Sequence, residues 1–131
     1  MSTAPSSTAA VHVYGIPNCD TVKKSRQWLV EQGVEPVFHD FKKQGLDAAT
    51  LRQWVGALGW EALLNRRGTT WRKLDAATQA SVVDAASAEA VMLEHLSLIK
   101  RPVVRWARAG QAPQWTVGYV PEVWQRLHEV A

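Results

Sequence analysis

Cysteine is almost absent from this chain of 131 residues, and Cys19 is the only one. A lone cysteine excludes an internal disulfide and makes a reducing, cytoplasmic setting the expectation. Long apolar runs are missing too. None approaches the roughly 18 residues needed to span a bilayer, so no membrane association is expected. The opening residues 1–10, Met-Ser-Thr-Ala-Pro-Ser-Ser-Thr-Ala-Ala, have neither a basic start nor an apolar stretch. They do not read as a signal peptide and are expected to form a flexible tail. Charge bias is weak: the net charge is +3 and the basic residues are scattered. That argues against direct nucleic-acid binding, which calls for a denser basic stripe. There is no Gly-rich phosphate loop and no Gly-x-Ser-x-Gly elbow. His12, His39, His95 and His128 lack metal-ligand spacing, so no metal and no bound cofactor is expected.

Tryptophan, by contrast, is plentiful at seven residues, and most of these belong in a core or a groove. The length suits one domain over 11–131, with about two-thirds of the unfolded surface available for burial. Val11–Tyr14 is a short β-like run ended by Gly15 and Pro17, and Asn18 can cap the helix-like run after it. Thr21–Gln32 has helix formers, and Gly33 is a stop. Glu35–Phe41 is a second β-like run. A right-handed crossover makes these two strands parallel. The segments 46–58, 76–86 and 88–96 have helical apolar spacing, Trp60–Leu64 is a short apolar turn, and Asn65–Thr70 is a polar loop. Pro102–Trp106 and Gln114–Gly118 read as a hairpin across turn residues 110–113, and Pro121–Val130 as a final helix. The order is β-α-β, a helical insertion over about 45–98, then β-β-α: an α/β chain built on a mixed sheet.

Three groups of residues can carry chemistry. Cys19 falls at a helix mouth, where unpaired N–H groups and the positive dipole end favour thiolate; a buried structural cysteine is the plain alternative. Lys23 lies at the i+4 spacing that faces it. No second cysteine is present, since the third residue after Cys19 is Val22, so an oxidised Cys19 needs a thiol from another molecule. Arg101-Pro102 opens a strand, where an X-Pro bond can be cis; the proline is either a simple strand opener or one wall of a thiol site with Arg101 holding an anion. Arg66-Arg67-Gly68 and Arg72-Lys73 form a basic loop, either solvated surface or a place for an anionic substrate.

Taken in order, Tyr14-Gly15-Ile16-Pro17-Asn18-Cys19-Asp20-Thr21, Leu64-Asn65-Arg66-Arg67-Gly68-Thr69, Lys100-Arg101-Pro102-Val103 and Val117-Gly118-Tyr119 resemble motifs of the ArsC/Spx family. Within it they resemble most the YffB-like branch. The resemblance covers about residues 11–129. It implies a thioredoxin-like fold with a helical insertion, Cys19 as the catalytic cysteine, Pro102 as the cis-proline, and Arg101 as an oxyanion-binding arginine. A further arginine comes from the central segment, with Arg67 chosen and Arg66 adjacent. Asn18 and Lys23 complete the expected anion-binding set.

The chain also departs from the family pattern. Gly15 stands where arsenate reductases of this type have histidine, Lys23 where they have arginine, and Thr116–Val120 lacks their late arginine. A weaker oxyanion site is the consequence. The missing second cysteine excludes the disulfide switch of Spx regulators. The leading expectation is a monothiol reductase using glutathione as co-substrate, with glutaredoxin as a further partner and a disulfide or small oxyanion as substrate. The alternatives are a glutaredoxin-linked arsenate reductase and a non-enzymatic regulator that binds RNA polymerase.

Overall fold

Along β1 (Val11–Gly15) the side chains alternate between buried and half-buried, so Val11, Val13 and Gly15 face one way and His12 and Tyr14 the other. The computed structural model describes residues 11–108 and 110–130; the expected tail over 1–10 lies outside them. α1 (Asp20–Glu31) comes next, burying Val22, Ser25 and Leu29 at spacings of three and four. The Ser25 hydroxyl donates to the Thr21 carbonyl at 2.7 Å, which satisfies the one polar group on that stripe. Gly33, at φ 79°, lets the chain turn back into β2 (Val37–Asp40). The remaining strands are β3 (Val103–Arg108) and β4 (Gln111–Val117), and the last helix is counted below as α8 (Pro121–Val130).

The four strands form one sheet in the order β2-β1-β3-β4. β1 pairs parallel with β2 and antiparallel with β3, and β3 pairs antiparallel with β4. The β-α-β unit and the hairpin are therefore both present, in a mixed sheet. The hairpin is tighter than the turn expected over 110–113. Arg108 already pairs with Gln111, and Gly110 supplies a positive φ of 73°.

By its internal contacts the chain divides into two units, one running to Asp40 and resuming at Arg101, the other Phe41–Lys100. In the first, Val11, Val13, Leu29, Val104, Trp106 and Trp124 form the core on one face of the sheet. Trp124 is its hub. Trp28 and Tyr119 meet it edge-on with centroids at 5.7 and 5.5 Å, and its indole N–H donates to Thr116 Oγ1 at 2.9 Å. On the opposite face His12 Nδ1 lies 2.9 Å from His39 Nε2, and the Tyr14 ring stacks on His39 with centroids 4.4 Å apart. The parallel register sets His39 beside Tyr14, while Arg105 pairs with His12 from the other side.

The second unit holds α2 (Phe41–Gln44), α3 (Ala48–Leu58), α4 (Trp60–Leu63), α5 (Thr69–Lys73), α6 (Ala76–Ala80), α7 (Ala85–Glu94) and a 3-10 turn at Leu96–Leu98. The expected insertion over about 45–98 falls inside it. Leu51, Trp54, Leu63, Met92, Leu98 and Ile99 are fully enclosed. Asp47, Asp75 and Asp84 cap α3, α6 and α7, and side-chain and backbone hydrogen bonds from Thr50, Thr78 and Ser87 hold their carboxyls below the usual range. The helix expected over 76–86 is divided at this last cap. Ser81–Asp84 leaves helical pairing, and Asp84 and Ser87 close a reciprocal capping box that begins α7 at Ala85. The loop expected over 65–70 is shorter, because α5 begins at Thr69.

Replacing Thr116 with Val is expected to leave the Trp124 N–H buried without a partner and to destabilise the fold by about 1–3 kcal/mol, read as a lower urea midpoint with unchanged slope. Burial and the neighbouring charge of His12 hold the His39 imidazole below its ordinary value of 6.5. Between that depressed value and 6.5 the unfolded chain binds more protons than the folded one, so stability is full above pH 6.5 and falls as pH drops through the window. A His39→Gln protein should show a flatter decline in melting temperature over the same range. An undiminished decline would assign it to other groups.

Candidate functional site

The antiparallel pairing of β1 with β3 ends at Tyr14↔Val103. The chain leaving β1 and the chain entering β3 therefore sit at the same end of the sheet. The first carries Cys19, the second Arg101-Pro102. Between β1 and α1 the turn is closed by the Cys19 N–H donating to the Ile16 carbonyl at 3.2 Å. Cys19 itself, not Asn18, is the N-cap of α1, with extended dihedrals of −104° and 127°. Asn18 is exposed in the preceding turn. The sulfur thus occupies the position where a serine or aspartate oxygen would accept from the second and third helical N–H groups.

The thiol reflects that position. Burial pushes Cys19 up; the Val22 N–H, the hydrogen bond and positive charge of Arg101, and the Thr21 N–H pull it down, and the net result is below the ordinary value. The sulfur does not close a full cap hydrogen bond, so these N–H groups act as oriented donors awaiting an ionised acceptor. Cys19 is half-buried and carries no disulfide. The cation that bears on it is Arg101. Lys23 is exposed and reaches Cys19 through its backbone, donating its N–H to the Cys19 carbonyl at 2.9 Å. Lys24 lies over the Tyr119 ring at 5.3 Å.

The Arg101–Pro102 peptide is cis, and Pro102 is buried. Its carbonyl accepts from the Gly118 N–H at 2.9 Å, which ties the entry of β3 to the exit of β4. Gly15 admits no side chain without movement. A Cβ there would come 2.8 Å from Val22 Cγ2, part of a stiff and fully buried residue.

Arg67 belongs to the second unit, where it and Arg66 line a cavity together with Glu61, Leu64, Asn65 and Lys100. The Arg66 guanidinium lies over the rings of Trp60 and Trp71, at 5.2 and 5.9 Å. Glu61, Asn65 and Lys100 were not expected in a site. The Asn-x-x-Gly spacing is a signal for the turn that presents them: Asn65 Oδ1 accepts the Arg67 N–H at 3.0 Å, and a Cβ on Gly68 would meet Asn65 Nδ2 at 2.8 Å. Among the described residues no group of three or more His, Cys, Asp or Glu is placed to hold a metal ion, and no helix is long and apolar enough to cross a membrane.

A mixed four-stranded sheet, a helix capped by a lone cysteine and a buried cis-proline after an arginine together make a thioredoxin-like fold. The model of the ArsC family matches residues 14–127, and the chain belongs to that family. An uncharacterized protein of Haemophilus influenzae is 45% identical over 94 residues, covering 72% of this chain and 82% of that one. Among solved structures, the YffB protein is 43% identical with a TM-score of 0.79, over 92% of this chain and 99% of its own. An arsenate reductase (ArsC) related protein from Brucella melitensis is 46% identical with a TM-score of 0.69, over 91% and 94%. An arsenate reductase from Vibrio cholerae, at 23% identity and a TM-score of 0.70 over 92% and 97%, shares the fold.

Alkylation of Cys19 by iodoacetamide, measured against pH, is expected to show a midpoint below the value of about 8.5 for a free thiol. Arg101→Ala should move that midpoint upward and slow alkylation at neutral pH. An unshifted midpoint in the variant would remove Arg101 from the list of causes.

Proposed function

We propose that this protein is a monothiol reductase that uses glutathione as its external reductant. The observation that carries the reading is the Cys19 sulfur at the N-cap of α1, with its ionisation favoured by Val22, Thr21 and Arg101. In the scheme, the Cys19 thiolate attacks one sulfur of a disulfide, forms a mixed disulfide, and expels the other sulfur as thiolate. A glutathione thiolate then attacks the mixed disulfide and releases Cys19. Where the first partner is glutathione itself, the product of this second step is oxidised glutathione. Each step exchanges one S–S bond for another, and the oxidising equivalents end on glutathione. Arg101 holds the anionic part of the substrate beside the sulfur, and Pro102 forms the wall behind it. Arg67 serves as a second anion-binding group, and Asn18 and Lys23 flank the helix mouth. Glutaredoxin is the protein partner that this scheme admits for clearing the mixed disulfide.

Reduction of arsenate is a second reading, favoured by the 46% identity to the arsenate reductase (ArsC) related protein. It is disfavoured by the contact a side chain on Gly15 would make with Val22, at the position where arsenate reductases of this type carry histidine. A regulator that binds RNA polymerase would have no use for a thiol held below its ordinary range.

Turnover of a mixed disulfide of glutathione and a small thiol, coupled to glutathione reductase, should be measurable with the native chain. Cys19→Ser is expected to abolish it, and Arg101→Ala to lower kcat/KM by roughly 10-fold or more, the loss expected for one charge-assisted contact. Equal activity in Cys19→Ser would remove the thiol from the mechanism. Arsenate turnover above disulfide turnover would favour the second reading.

A further inference from the structure

The cavity of the second unit has a volume of about 540 Å³ and is lined by Glu61, Leu64, Asn65, Arg66, Arg67 and Lys100. That size falls within the range of small-molecule sites. Its frame is fixed by backbone pairing. Leu64 bridges Ile99, the Asn65 N–H donates to the Leu98 carbonyl at 2.8 Å, and the Lys100 N–H donates to the Leu63 carbonyl at 2.7 Å. Within this frame Arg66 is committed to the Trp60 and Trp71 rings. The side chains of Glu61, Arg67 and Lys100 make no ion pair or hydrogen bond among the described residues. Exposed side chains of both charge signs thus line one concavity whose backbone is held by these bonds. A plain anion would meet Glu61 as a like charge, and a plain cation would meet two arginines and a lysine.

We propose that this cavity binds a free amino-acid end, with the α-carboxylate taken by Arg67 and Lys100 and the neighbouring ammonium by Glu61. The γ-glutamyl end of glutathione and free glutamate both carry this chemistry. The inference concerns the second unit by itself, and its test concerns binding alone.

The experiment tracks backbone amide shifts of the full-length Cys19→Ser protein, where serine is a good N-cap and no disulfide can form. The probes are S-methylglutathione, its N-acetylated form, glutamate and inorganic phosphate. S-methylglutathione is expected to move the amides of Asn65, Arg67 and Lys100. N-acetylation of the probe or Glu61→Gln in the protein should each weaken binding several-fold, and Arg67→Ala should weaken it in both forms of the probe. Equal shifts with glutamate support an amino-acid end as sufficient, and shifts with S-methylglutathione alone support the γ-glutamyl peptide as the source. Phosphate binding as tightly at the same amides, or Glu61→Gln leaving the affinity for S-methylglutathione unchanged or raised, would overturn the proposal. If binding fails while Cys19 keeps its low alkylation midpoint, the thiol chemistry stands and this proposal falls. If binding persists while the thiol proves inert, the reverse holds.

Discussion

The antiparallel pairing of β1 with β3 is the constraint on which the thiol site depends. Cys19 and Arg101 are far apart in the chain, and neither lies on a strand. What brings them together is the last pair of that ladder, Tyr14↔Val103, after which both chains leave the sheet at the same end. Val13 and Val104, also partners in the ladder, are fully buried in the core that Trp124 organises. A one-residue slip of either strand would carry its valine, Val13 or Val104, to the face of His12 and Arg105 and expose apolar side chains. The burial that stabilises the sheet therefore also sets the chain segments of Cys19 and Arg101 at the same end of it.

At the sulfur, opposing effects meet, and their net direction is toward easier ionisation. Partial burial is the largest single influence and works against thiolate. It is outweighed only because several favourable groups act at once: two helix-mouth N–H groups and one arginine. None of them needs to move. The N–H groups belong to the first turn of α1, whose stripe of Val22, Ser25 and Leu29 is locked into the core. The helix that stabilises the charge is held by its apolar face, and the cysteine gains from being the cap instead of an interior residue.

Much of this was legible in the residues, and the reasons for the rest are physical. The β-α-β order, the hairpin and the final helix come from runs of Val and Tyr, from Gly33 and from Pro121, all of which act locally. The helix mouth at Cys19 was legible for the same reason, though Asn18 competed for the cap and lost by one residue. The break before α7 was not, because apolar spacing continues through Val82 and Val83 while Asp84 and Ser87 form a reciprocal cap that outweighs it. The contact between His12 and His39 depends on the parallel register of β1 and β2, which no local pattern encodes. The lining of the second unit's cavity depends on the bridge between Leu64 and Ile99, a pairing of residues 35 positions apart in the chain.

Gly15 links the packing to the chemistry. Its Cβ position is occupied, in effect, by Val22, which fills that space while remaining buried on α1. A histidine there would press on a fully buried β-branched side chain that has one strongly preferred rotamer in a helix. The space is thus given to core packing, and no imidazole stands four residues before the sulfur. A small oxyanion, whose binding relies on several cationic or donor groups converging on one centre, loses one of them. A disulfide needs less, because its reacting atoms are neutral and the departing charge is a thiolate that a single arginine and the helix mouth can stabilise. Under the proposed disulfide chemistry, the fit of Val22 against Gly15 leaves the helix mouth and Arg101 as the groups that would stabilise a departing thiolate.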